Sequence, residues 1–113
     1  TDALLAQAAD HLRAGRLADA DAKAIAALEA SVNDPWALEL RARVLHAAGR
    51  LADARRVQAH AVAVRPQDAG FVYNLAVLDR ASGDVEAARR HVRKALALDP
   101  GLRAAQLLSA GLA

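Results

Sequence analysis

The side chains that could do chemistry in this 113-residue sequence are few and scattered. Four histidines, His11, His46, His60 and His91, could bind a metal or move protons. No two stand four residues apart, the helical spacing that lets two imidazoles share one ion. Cysteine is absent, which removes thiolate metal sites, iron–sulfur clusters, disulfides and thiol catalysis together. Ser31, Ser82 and Ser109 are the only serines, and Ser82 in its turn lacks the strand-to-helix elbow that exposes a nucleophile. The six glycines are isolated, so no run of backbone N–H groups can cradle a phosphate. Most carboxylates fall at turns and helix starts, where capping explains them. Asp79 is the exception: facing inward it must pair, with Arg41, Arg43 or Arg80 as candidates. This inventory predicts no enzyme, no cofactor and no metal.

The remaining polar signal is arginine. Arg55-Arg56 and Arg89-Arg90 hold equivalent places on successive helices, and with Arg93 and Lys94 they would stack into a basic ladder. No aromatic platform accompanies it, and Asp53 and Glu86 lie nearby, so a solvated outer face outweighs a nucleic-acid surface. Net charge is +2, from 15 basic and 13 acidic residues. Residues 1–34 are acidic and 35–68 basic, a polarity too weak for a nucleic-acid signature.

The elements that must position these groups are helices. Hydrophobic residues make up 55% of the chain, and 32 residues are alanine, the best helix former. The longest uncharged stretches, 69–78 and 104–113, are half the ~20 residues a membrane span needs. There is no basic-then-apolar signal segment either, so the expected location is cytoplasmic. A chain without methionine that begins at Thr1 reads as a processed chain or an excised part of something longer.

Gly15, Gly49 and Gly83 recur every 34 residues, as do Pro66 and Pro100. Ala14-Gly15-Arg16-Leu17-Ala18-Asp19-Ala20 returns unchanged at 48–54 and, diverged, at 82–88. Residues 1–34 and 35–68 agree at 12 of 34 positions without a gap. A glycine in mid-repeat predicts helix–turn–helix units. First helices are expected at 2–14, 36–48 and 69–81, each stopped by a left-handed glycine. Second helices are expected at 17–31, 51–64 and 84–98, the last two stopped by proline. Pro35 reads as a first-turn proline with Asp34 as its cap. Residues 102–112 read as one more helix.

This pattern resembles the tetratricopeptide repeat family over the whole chain: repeats 1–34, 35–68 and 69–102 plus a terminal helix, as one domain of residues 1–113. The family's small positions hold alanine throughout: Ala8, Ala42 and Ala76; Ala20, Ala54 and Ala88; Ala27, Ala61 and Ala95. The large positions match less well. The tryptophan position holds Leu4, Leu38 and Val72, and the leucine position Gln7, Arg41 and Leu75. The tyrosine position holds His11, Leu45 and Asp79, and the later aromatic position Ala24, Gln58 and Val92. Pentatricopeptide arrays are near neighbours, but they favour 35 residues per repeat.

The resemblance implies an all-α, right-handed solenoid of antiparallel helix pairs whose first helices line a concave groove for peptides or partner helices. It places Leu5, Ala9, Leu12 and Arg13 of the first repeat in that groove. From the second it takes Trp36, Glu39, Leu40, Arg43 and His46; from the third, Gly70, Tyr73, Asn74, Val77 and Arg80. Trp, Tyr and Arg dominate interaction hot spots, and Leu5, Leu12, Leu40 and Val77 would form an apolar floor. Trp36, at a helix start, could instead pack on the preceding helix. The family's chaperone-tail clamp is not met: in one register no required cation is present, and in the other only Asn74 matches, with Arg43 in part.

The expected function is a non-catalytic protein-interaction module. The alternative is an appended or self-assembling part of a larger bacterial enzyme, a transferase or hydroxylase, contacting its catalytic domain or a second copy. Leu102, Leu107, Leu108 and Leu112 make the terminal helix apolar, which favours self-association there.

Overall fold

Asp34 shows how locally the helix boundaries are set. Its carboxylate accepts from the N–H groups of Trp36 at 3.0 Å and Ala37 at 3.4 Å. Pro35, which has no N–H to satisfy, is the first helical residue rather than the one before it. Asp68 and Asp84 cap the fifth and sixth helices in the same way, through Phe71 N–H and Ala87 N–H. The computed structural model describes residues 2–113; Thr1 lies outside them. Seven helices result: α1 (Asp2–Arg13), α2 (Leu17–Ala30), α3 (Pro35–Ala47), α4 (Leu51–Val64), α5 (Ala69–Ala81), α6 (Val85–Leu98) and α7 (Arg103–Leu112). No strand occurs among the described residues. The sequence expectation holds to within one residue at every end.

The mid-repeat turns are identical. Gly49 has φ +78°, its N–H donates to His46 O at 3.0 Å, and Arg50 N–H reaches back to Leu45 O at 2.9 Å. Gly15 and Gly83 repeat the geometry at the ends of α1 and α5.

Close approach then builds the stack. All nine alanines at the small positions are at most 1% exposed. Helices pair within each repeat, α1 on α2, α3 on α4 and α5 on α6, and each pair packs on the next through α2–α3, α4–α5 and α6–α7. First helices also meet across repeats, α1 on α3 and α5 on α7, whereas no comparable contact joins second helices among the described residues. The first helices therefore sit on the inside of the curve, as the resemblance implied. Larger side chains fill the seams. Leu38, Ala61 and Phe71 join repeats two and three, and Val72, Ala76, Ala88 and Val92 pack with Ala105, Leu108 and Leu112 of α7.

That last cluster shows where the leucines of the terminal segment go. Leu108 and Leu112 are buried and Leu102 packs against the cluster, so Leu107, 64% exposed, is the only one of the four leucines left to solvent. The helix spends its apolar face closing the stack.

Asp79 does face inward, at 1% exposure, but its partners come from the second helices. Arg55 Nε of α4 donates to one carboxylate oxygen at 3.0 Å, and His91 Nδ1 of α6 lies 2.5 Å from the other. Arg55 also reaches Asp84 at 3.1 Å. Arg41, a candidate partner, instead bonds Asp21 at 3.2 Å across the first seam. The first helix buries its 79 position against two second helices, so residues from its own groove face cannot reach it. Part of the arginine ladder is paired as well: Arg56 with Asp53, and Arg89 with Glu86 and the Leu112 carbonyl, while Arg90, Arg93 and Lys94 stay exposed without an ion pair among the described residues.

Two stability outcomes follow. Gly49→Ala should cost about 1–2 kcal/mol in urea unfolding, because an L side chain resists positive φ. Open space surrounds the position, so the cost is backbone alone and Gly49→Asn should recover part of it. Asp79→Ala should cost about 2–3 kcal/mol by leaving Arg55 and His91 without their shared acceptor, less than for a fully buried pair because both stay partly exposed. Equal stability of Asp79→Ala and wild type would show that the network contributes nothing.

Candidate binding groove

The 34-residue period puts equivalent side chains in rows across the inner helices. Leu5, Glu39, Tyr73 and Leu107 form one row; Ala9, Arg43, Val77 and Gly111 the next; Leu12, His46 and Arg80 a third. Between α3 and α5 the surface opens into a pocket of about 60 Å³. Ala42, Val77 and Leu78 supply its apolar walls, and Arg43, His46, Gln58 and Asn74 its polar ones.

Two of those polar groups are fixed. Gln58, 1% exposed, reaches from α4 beneath the groove and donates to Phe71 O at 3.0 Å. Asn74 donates to Glu39 at 3.2 Å, tying α5 to α3 across the floor. Arg43 and His46, by contrast, are exposed and form no ion pair among the described residues. Arg80 is likewise exposed, with its guanidinium against Gly111 of α7. Exposed arginines and an imidazole with no partner of their own beside an apolar hollow can donate to carboxylates from outside.

Burial raises the Glu39 carboxyl above its ordinary value; Arg43 works against that shift and Asp68 adds to it. Asp84 is lowered by the Ala87 N–H it caps and by Arg55. Asp53 is lowered by hydrogen bonds from Arg56 and Arg50.

At the other end of the groove Trp36 is 50% exposed. Its ring meets Phe71 edge-on with centroids 5.1 Å apart, and the Arg65 guanidinium lies over it at 5.1 Å. It therefore packs forward onto α5 rather than back onto the preceding helix. Arg65 is held in turn by Asp68 at 3.2 Å.

The structure brings Trp36, Glu39, Arg43, Tyr73, Asn74, Val77 and Arg80 onto the accessible or half-buried surface of neighbouring first helices. Leu5 and Leu12 are half-buried on α1. Leu40 departs from the expectation: at 5% exposure it is core beneath the groove, not an exposed floor. Its helix turns it toward the packed side, where apolar area is removed from water. Sequence reasoning missed Gln58, a polar residue at a position where the family favours an aromatic. It also missed Leu107, whose 34-residue offset from Tyr73 was the available signal. No group of three or more metal-ligating side chains occurs among the described residues, and no helix among them is long and apolar enough to cross a membrane.

Glu39 carries a pH prediction. A raised folded-state value means that the protonated carboxyl stabilises the fold below its ordinary 4.5, and that this contribution is lost as pH rises through the raised value. Glu39→Gln should therefore melt higher than wild type at pH 7, with the gap closing as pH falls toward 4. A constant gap at both pH values would show that burial of this carboxylate is not the cause.

The family model for the tetratricopeptide repeat matches residues 35–57 and 69–94. Among solved structures, a mutant Thermobaculum terrenum O-GlcNAc transferase superposes with a TM-score of 0.89 at 27% identity. The alignment covers 98% of this chain and 21% of that one, so the chain spans about a fifth of the transferase. The first TPR of Spaghetti, bound to an HSP90 peptide, gives 0.91 at 17% identity, covering 97% of this chain and 87% of that one. The Yersinia enterocolitica type III secretion chaperone SycD, in complex with a peptide of the translocator YopD, gives 0.89 at 14% identity over 98% and 90%. No curated protein matches the chain in sequence. A period of 34 residues, nine buried alanines, first helices on the inner side and the match at two repeats agree: residues 35–57 and 69–94 are tetratricopeptide repeats by sequence, and the described chain stacks as the helical solenoid of the solved tetratricopeptide structures.

Proposed function

We propose that the chain is a non-catalytic protein-interaction module, residues 1–113 acting as one array, which holds a peptide or partner helix in the groove of its first helices. The observation that carries this reading is the opening between α3 and α5, where Arg43 and His46 have no ion-pair partner among the described residues and border apolar Val77 and Leu78. Several exposed cations elsewhere, among them Arg90, Arg93 and Lys94, are also without an ion pair among the described residues, but they do not border this apolar hollow. Groups left over beside a hollow are what a ligand would satisfy. Tyr73 and Trp36 add rigid amphipathic area at low entropic cost. Solved relatives in fold include complexes with an HSP90 peptide and a YopD peptide, which supports peptide binding as the mode.

A second reading rests on the transferase similarity: the chain is a segment of a larger enzyme, and the groove or α7 contacts another part of that enzyme. The two are separable by one paired capture from host lysate. The bait is the 113-residue chain; the control carries Arg43→Glu with His46→Glu, both at exposed positions, after circular dichroism shows equal helicity. Proteins retained by the bait and lost by the control identify groove ligands. If both baits retain the same proteins, the groove reading fails. If the only protein lost by the control is the larger product that contains this sequence, the second reading replaces the first.

A further inference from the structure

We propose that the groove is polarised across its width, and takes a segment that lays cationic side chains over Trp36, Glu39 and Tyr73 and carboxylates over Arg43, His46 and Arg80. This rests on the groove reading and adds the chemistry of its occupant: a bipolar segment of a partner protein, not a uniformly acidic one.

The polarity follows from helix ends. Because α3 and α5 run the same way along the inner face, their starts share one rim and their ends the other. The start rim holds Asp34, Asp68 and, one turn in, Glu39, against one cation, Arg65. The end rim holds Arg43, His46 and Arg80 with no carboxylate bonded to any of them among the described residues. Helix dipoles favour this distribution within each helix, and stacking in register turns it into two opposed edges. Glu39 and His46 are seven residues apart, which is about 10 Å along the helix axis. An extended segment covers that in about three residues.

The start rim also displays the interaction it would offer. The chain's own Arg65 lies over Trp36 at 5.1 Å and Phe71 at 5.9 Å while Asp68 holds it at 3.2 Å. The rim thus holds a guanidinium on an aromatic face beside a carboxylate, and a ligand cation at Trp36 would take the place of Arg65 there. Glu39 is half-buried, is hydrogen-bonded by the neutral Asn74 amide and feels Arg43 one turn on without forming an ion pair with it, so it is the carboxylate there that a second cation would pair.

The test uses two small probes on the isotopically labelled 113-residue chain, followed by NMR. N-acetyl-argininamide should give saturable shifts at the Trp36 indole N–H and the Glu39 and Tyr73 amides. Glutarate should shift the Arg43 and Arg80 guanidinium N–H groups and the His46 ring. Glu39→Gln should weaken the first probe at least threefold without weakening the second, and Arg43→Gln should weaken the second at least threefold without weakening the first, because each change removes a neighbouring charge of the opposite sign. Dispersed spectra of both variants verify folding. Shifts by both probes at the same residues, equal weakening of both by one variant, or no saturation by either would overturn the proposal. The groove reading itself is judged by the lysate capture, so it survives a groove that binds protein without this polarity.

Discussion

Everything in this molecule depends on how closely its helices can approach. Nine alanines at the contact points are buried almost completely. Each leaves a methyl group where a longer side chain would hold the helices apart. With contacts this close, few large side chains are needed to fill what remains. Phe71 is the only buried aromatic, and it sits in the seam that joins α3, α4 and α5. The spacing of the first helices, and so the width of the groove, is set by alanine rather than by the groove residues.

Close packing leaves little room for polar groups, and those inside are fully used. Gln58 ties α4 to an α5 carbonyl, and Asp79 gathers α4 and α6 around α5 through Arg55 and His91. No buried side-chain polar atom lacks a partner among the described residues. This differs from the family's pattern, in which the 58 and 79 positions favour aromatic rings. Here hydrogen bonds and an ion pair stand in for that apolar filling at the seam between the second and third repeats. Such a substitution gains direction at the cost of tolerance, because removing one partner strands the others.

The inner surface behaves in the opposite way. Arg43, His46 and Arg80 are exposed without carboxylate partners among the described residues, while Glu39 keeps a desolvated carboxylate against a neutral amide. The outer arginines of the same helical array are mostly paired with nearby acids. What sets the inner cations apart is less their lack of a partner, which exposed Arg90, Arg93 and Lys94 of α6 share, than their place beside the apolar hollow between α3 and α5. Of the basic ladder legible in the sequence, Arg55, Arg56 and Arg89 are paired and Arg90, Arg93 and Lys94 are not, among the described residues.

Sequence alone determined the period, the helix ends and the buried alanines, because each depends on local rules. A positive-φ glycine, a capping aspartate or a proline acts on the few residues beside it, and a 34-residue repeat copies the result. The rows of groove residues followed from the same period, apart from Leu40, whose burial depends on how far its helix rotates in the stack. Only the tertiary structure decided the partners. Asp79 could not be assigned to Arg55 and His91 from spacing, since they lie 24 and 12 residues away on different helices. Trp36 could not be placed against Phe71 and Arg65, nor α7 seen to bury Leu108 and Leu112, until the helices were packed. Side-chain pairing across a seam depends on the rotation and offset of whole helices, and that information is distributed over every contact in the stack.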